Sequence, residues 1–546
     1  MTGRGVATGV TAGVAGGAVL IAGVTVAARL VGLLRQLTFT RSVGLTCLNS
    51  AYTTANTVPN IVFEVVAGGA LAAAVVPAVA GAVQRGDREA TGRTVSALLT
   101  WTLLVLIPVT LLGYVVIGPV IRALLGGGGV HCSSQIAVMV NTASDLLRVF
   151  LIQVPLYGLV VVLAGVLNAH RRFLAPALAP LVSSLVVIGA YLVYSGMAQD
   201  HAGSLGDLTS SELAVLAWGT TLGVAAMLVT QLPGALRLRL PLRPTLRFPT
   251  GVARQVGGLA AAAVAVVVAQ QASTAVVVRL ANARGSEGAL GVWTVAWTVF
   301  LLPWAVLAVP LATSAFPRLA AHHTSGEEDR FSSLTADVAR TTLLVSAVAG
   351  GVLAGVAPAV ARVVALGVPG PPAVDALTRA IVAFVPGLLG YALVAHFTRV
   401  LYARSGGKAA TLGAVLGWLV VVVADLLLVA HVSTGEVVTA LGAGNSIGMT
   451  VAGAALLVAV RRSAGRASTT GVGRAAAIGV LVGAVAFLAG RGALLLTGPG
   501  DSIPSSLVWG AVASTLAVAA GAGAAWALAR ADVDRAVGAL RRGLSR

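Results

Sequence analysis

Runs of about 20 or more mostly apolar residues, each long enough to cross a bilayer as a helix, recur fourteen times along the chain. They fall at approximately 8–30, 51–82, 95–120, 144–168, 174–196, 211–233, 255–280, 289–316, 338–362, 377–401, 409–431, 437–460, 472–492 and 505–529. A continuous apolar segment of that length satisfies its backbone in lipid only as a helix. Composition agrees: 57% of residues are hydrophobic and 10% charged, against roughly 25% charged in a soluble domain. The expected fold class is an all-α polytopic membrane protein of about 14 transmembrane helices.

Charge placement tests the count. With the N-terminus inside, the inner loops are 84–93, 168–173, 237–248, 317–330, 399–408 and 461–474, and the tail 530–546 lies on the same side. With Arg4, Arg254 and Arg340 at their borders, these hold 26 of the 36 Lys and Arg residues. Outer loops such as 195–212, 432–437 and 497–506 are neutral or acidic. Cytoplasmic loops collect Lys and Arg, so both termini are expected in the cytoplasm. The net charge of +18 is explained this way. No basic stretch is interleaved with aromatics for base stacking, so no nucleic-acid partner is expected. The first run reaches about Arg29 and reads as a span, not as a cleavable signal.

The chain also repeats. "VPAVAGAVQRGDRE" (76–89) resembles "FPRLAAHHTSGEED" (316–329), an offset of 240, and "VLNAHRRF" (166–173) echoes "VLYARSGG" (400–407), an offset of 234. Both echoes sit at the inner ends of corresponding spans, as in transporters built from two related halves. The expected organisation is 1–235 (spans 1–6), 236–465 (spans 7–12), and 466–546 with two extra helices and a basic tail. A cleft between the two lobes is the natural substrate site.

Ionisable groups at membrane depth are costly and mark pathways or paired sites. They include Arg29 and Arg35 near the end of span 1, Glu64 in span 2, Asp145 and Arg148 opening span 4, Arg279, Arg399 and Asp425. For Arg148, Arg279 and Arg399, snorkelling to the interface stays open beside a cavity role. Asp425 could pair with an arginine of a neighbouring helix. Several arginines in a cleft suit an anionic head group, because guanidinium grips phosphate bidentately and stays charged. Glu64 would orient or compensate them. The same span carries Pro59, Gly68, Gly69 and Pro77, expected to let it bend beside the cleft.

No catalytic constellation is readable. Gly406–Lys408 lacks the first glycine of a P-loop and is followed by Ala409, and His322 and His323 have no metal-ligand spacing. No enzyme activity, metal or cofactor is expected. Cys47 and Cys132 fall in outer loops, where a disulfide is feasible, but two unpaired thiols are the expectation.

"ARLVGLLRQ" (28–36) and "NTVPNIVFEVVAGGALAAAVVPAV" (56–79) resemble the signature of the MurJ/MviN murein lipid II flippase family, actinobacterial branch. "LPWAVLAVPLATSAFPRLA" (302–320), "RVLYAR" (399–404) and "LGAGNSIGM" (441–449) are similar to later elements of that family. The resemblance covers most of 15–465. It implies the multidrug/oligosaccharidyl-lipid/polysaccharide exporter fold, with two six-helix lobes in a V plus two C-terminal helices. It further implies a cationic cavity, alternating access, and transport of lipid-linked peptidoglycan precursor across the cytoplasmic membrane, alongside cell-wall synthesis proteins. Arg29 and Arg35 match arginines expected to meet the diphosphate. The family's Arg-Arg pair is Phe63-Glu64 here, an expected span-8 arginine is Thr298, and Gln36 and Gly68 replace acidic residues. Arg279 and Arg399 are the candidate substitutes. A different polyprenyl-linked glycan or a drug as cargo, or a non-transporting scaffold role, remain as alternatives.

Overall fold

The computed structural model describes residues 23–24, 27–65, 72–126, 132–198, 201, 203–247, 252–368 and 373–544. Side chains are described for these residues except at 72–74, 76–77, 252–262 and 536–544. Helices account for nearly all of them: α1 (27–43), α2 (Cys47–Phe63), α3 (Ala72–Gln84), α4 (Arg88–Leu125), α5 (Ile136–Phe150), α6 (Gln153–Ala169), α7 (Leu174–Met197), α8 (Ser210–Leu236) and α9 (Val252–Arg284). They continue with α10 (Ala289–Pro303), α11 (Val309–Thr324), α12 (Glu328–Ala365), α13 (Val374–Phe384), α14 (Gly387–Ala403), α15 (Gly407–Val429), α16 (Val437–Ala464), α17 (Val472–Thr497) and α18 (Ile503–Leu544).

Among the described residues, 11 helices are long and apolar enough to cross a membrane, and α13 with α14, bent by 43°, makes a twelfth. These correspond to the third to fourteenth expected spans. The bend falls at Pro386, which stands at the start of α14 and cannot donate a helical hydrogen bond. Helix α18 carries a non-helical residue at Ala529, which divides the last span from the basic tail.

Span 1 differs from its expected limits. Residues 8–22 lie outside the described residues, and the helix runs on through Arg29, Arg35 and Arg41 to Val43. The expected end at residue 30 followed the first charge, yet arginine is a good helix former, and Arg41 near the C-terminus complements the helix dipole. Span 2 is described in two parts. Helix α2 passes through Pro59 without breaking, then winds into a π-helical turn at Glu64 and Val65. Gly68 and Gly69 lie outside the described residues, and Pro77 falls within α3.

The chain divides into two compact units: residues 1–43, 51–123 and 135–268, and residues 44–50, 124–134 and 269–546. In the first, valines and leucines of α3, α4 and α6 (Val75, Val79, Val95, Leu98, Val162, Val166) form a buried core with Leu238. Beyond α8 the extended segment 238–247 is strapped along α4. There Ser96 Oγ accepts from the Arg243 amide at 2.9 Å, and Trp101 Nε1 donates to the Leu246 carbonyl at 3.0 Å.

In the second unit α17 and α18 pack on α12. Small residues permit the approach, since a Cβ on Gly355 would lie 2.9 Å from the Phe487 carbonyl oxygen. The tail is anchored by Arg340, which donates to Asp532 Oδ1 at 2.8 Å and to the Thr470 carbonyl at 2.7 Å. Cys47 and Cys132 are joined in a disulfide with Cα atoms 5.9 Å apart, a correction to the expected free thiols. Their sequence separation of 85 carries no sign of the pairing, which requires folding to bring the segments around Cys47 and Cys132 together.

The internal repeat is written in the backbone. Gly86 and Gly326 are both left-handed, with φ of 70° and 71°. Each closes a helix in the same way: the Gly86 amide bonds Val83 and Asp87 bonds Ala82, as Gly326 bonds His323 and Glu327 bonds His322. At the other echo Arg171 and Ser405 have φ of 58° and 59°. The π-helical turn that begins at Glu64 has its counterpart at Trp304–Ala308, again 240 positions on. Such turns recur at functional sites.

Candidate functional site

Helix α1 carries the two arginines expected to line the cleft. Arg29 and Arg35, six residues apart, rise about 9 Å along it. Arg29 is exposed and Arg35 half-buried. Arg35 lies close enough to Tyr52, Tyr157 and Tyr191 to interact electrostatically with each. These tyrosines come from α2, α6 and α7, and two of them, Tyr52 and Tyr191, belong to one hydrogen-bonded polar cluster inside an apolar bundle. The Tyr52 and Tyr191 hydroxyls are 2.9 Å apart, and Thr220 of α8 also bonds the Tyr52 hydroxyl. Phe39 of α1 packs its ring 4.7 Å from Tyr52 and 5.1 Å from Tyr191. Tyr52, Tyr191, Thr220 and Phe39 thereby tie α2, α7, α8 and α1 together, α1 being the helix that carries the arginine.

The end of α2 contributes the next layer. Tyr157 donates to Asn60 Oδ1 at 3.3 Å, and the Phe63 ring lies 4.3 Å from the Tyr157 ring. Phe63, which stands where an arginine is expected, thus gives an aromatic wall instead of a charge. Glu64 is exposed at the π-helical turn and interacts electrostatically with Tyr157. Among the described residues no ion pair joins Glu64 to Arg29 or Arg35, and Tyr157 is the neighbour that Glu64 and Arg35 share.

In the second unit Arg279 of α9 is exposed, and its guanidinium lies against Gly126. Arg399 of α14 is half-buried and spends one N–H on the Ala395 carbonyl at 2.6 Å, leaving four donors free of that bond. Thr298 bonds the carbonyl of Thr294 at 2.8 Å, so it packs onto its own helix. Beside it Trp297, Phe300, Phe384 and Tyr391 form an aromatic cluster with centroids 5.2–6.2 Å apart. Asp425 is fully buried, and among the described residues neither carboxylate oxygen has a hydrogen-bond partner. The arginine pairing open to it in the sequence is not made. Arg148 pairs with Asp145 on its own helix face.

Sequence reasoning named the arginines and Glu64 but missed Tyr52, Tyr157, Tyr191 and Thr220. The available signal was the placement of tyrosines inside otherwise apolar spans, where a buried hydroxyl needs a partner.

The family model described as "Lipid II flippase MurJ" matches residues 39–500. A lipid II flippase MurJ of Burkholderia cenocepacia is 27% identical over 337 residues, 60% of this chain. The matched part spans 61% of that relative's length. Among solved structures, lipid II flippase MurJ in an inward closed conformation aligns with a TM-score of 0.70 at 17% identity, covering 93% of this chain and 99% of that one. An inward-facing multidrug-resistance MATE transporter of the MOP superfamily aligns at 0.67 and 15% identity, covering 81% and 96%. The structural likenesses establish the shared fold, and the family match over most of the length establishes membership: this multi-span membrane protein belongs to the MurJ lipid II flippase family.

Proposed function

We propose that the chain carries lipid II, the undecaprenyl-diphosphate-linked peptidoglycan precursor, from the inner to the outer leaflet of the cytoplasmic membrane by alternating access. The observation that carries this reading is Arg35, which the resemblance matches to a cavity arginine, lying within electrostatic reach of Tyr52, Tyr157 and Tyr191 and without a carboxylate partner among the described residues. A guanidinium offers a diphosphate paired charge-assisted hydrogen bonds. Arg29, six residues away and about 120° around α1, adds a second cation to the helix. Arg279 and Arg399 supply further cations in place of those absent at Phe63 and Thr298, and Glu64 tempers the charge when the site is empty. Among the described residues of span 2, the π-helical turn at Glu64 and Val65 is the place where it can bend.

Both termini are cytoplasmic in this reading. The positive-inside count supports that orientation, and so does the Cys47–Cys132 disulfide, since disulfides persist on the oxidising side of a membrane. Complementation tests the function. Cells depleted of their own lipid II flippase should grow when supplied with this chain and fail with the R29A/R35A double variant. Normal growth with the double variant overturns the assignment of the diphosphate to α1.

A further inference from the structure

The repeat exposes a difference between the units at their matching turns. In the second unit the turn before α12 is self-neutralised: Glu327 pairs with His322 and Arg330, and Glu328 with His323 and Arg404. In the first unit Arg88 occupies the position matching Glu328, and His170 the position matching Arg404. A cavity of ≈ 320 Å³ there is lined by Arg88, His170, Arg172 and Arg237. Its one acid, Asp87, is engaged as the cap of α4, accepting from the Ala90 amide at 2.8 Å. Among the described residues none of the three arginines makes an ion pair.

Arg172 and Arg237 also line a second groove of ≈ 630 Å³, together with Arg171, Thr230 and apolar side chains including Phe173 and Leu174. Both of those are exposed, and no side chain caps α7 where the groove meets its N-terminus. A polar, cationic chamber that shares Arg172 and Arg237 with a groove carrying exposed apolar side chains matches an amphiphile with a phosphate head. We propose that this end of the first unit binds the phosphate of an anionic glycerophospholipid, its head among Arg88, Arg172 and Arg237 and an acyl chain along Phe173 and Leu174. The leaflet concerned is the inner one, a point that rests on the orientation proposed above. The site does not depend on which cargo is transported, and basic pockets between helices on the cytoplasmic side favour such head groups.

The test uses full-length protein in phosphatidylcholine nanodiscs with and without phosphatidylglycerol, reading the lipid retained per chain by native mass spectrometry. Wild type should retain phosphatidylglycerol in preference to phosphatidylcholine, and the R172Q/R237Q variant should weaken that retention ~10–30-fold. The R461Q/R462Q variant, which removes equal charge from the end of α16, should leave it unchanged. The R172K/R237K variant, which keeps the charge but loses the planar fork, should fall between. Equal retention of the two lipids by wild type overturns the proposal whether or not any variant folds. An equal loss in R461Q/R462Q reduces the effect to net charge and also overturns it. Displacement of the lipid by inorganic phosphate alone would assign the chamber to a free anion and reject the lipid.

Discussion

Arg171 and Ser405, 234 positions apart, hold the same left-handed backbone conformation, with φ of 58° and 59°. Each sits where a helix ends and its successor turns back, and neither is a glycine. A side chain in this region costs about 1–2 kcal/mol, so both turns carry strain that the packing around them sustains. Arg171→Gly and Ser405→Gly should each raise stability by about 1 kcal/mol, read as a higher thermal unfolding midpoint of the purified protein. At Gly86 and Gly326 the change runs the other way. No atom lies within 4 Å of a Cβ at either position, so alanine there should cost about 1 kcal/mol through backbone strain alone.

The anchor of the tail gives a second expectation. Arg340 and Asp532 are mostly buried, with 11% and 19% of their side chains exposed. Loss of a hydrogen bond between charged groups in such a setting costs about 1–3 kcal/mol. Asp532→Ala should lower the unfolding midpoint and speed proteolysis beyond Ala529, while Asp534→Ala, on a loose pair at 3.9 Å with both partners well exposed, should change neither.

Removing the disulfide should have a larger effect. Cys47→Ser or Cys132→Ser should lower stability by roughly 2–4 kcal/mol. In the unreduced wild-type protein, maleimide should label neither cysteine. Labelling of both without reductant would contradict the pairing.

Glu327 supplies the pH dependence. A hydrogen bond from His322 at 2.6 Å, aided by Arg330, holds its carboxyl below the usual range. A depressed folded-state value adds stability that is fully present above the ordinary carboxylate range and is lost as pH falls through the folded value. Unfolding midpoints of wild type and Glu327→Gln should therefore differ at neutral pH and converge in acid. A difference that grows in acid would reverse the sign.

Much of the architecture was legible because lipid leaves few options. Twelve spans follow from apolar length, and the repeat was visible in short echoes around Gly86 and Gly326. Other features depend on contacts that no local pattern encodes. Tyr52 meets Tyr191 and Thr220 across separations of 139 and 168 residues, and Cys47 meets Cys132 across 85. Span 1 was cut short at Arg29 because hydropathy registers the charge but not the helix that tolerates it. Phe63 read as a missing arginine until its ring was found against Tyr157.

In the proposed transport cycle Arg29 and Arg35 of α1 take the diphosphate of the lipid across the membrane. The direct measurement is the amount of lipid II reachable by an externally added lipid II-binding probe, in flippase-depleted cells carrying either the wild-type chain or the R29A/R35A variant at equal abundance. Wild type should restore probe binding at the outer surface, and the variant should leave lipid II inside. Unchanged outer-leaflet lipid II when the wild-type chain is present, or full restoration by the variant, would contradict the account.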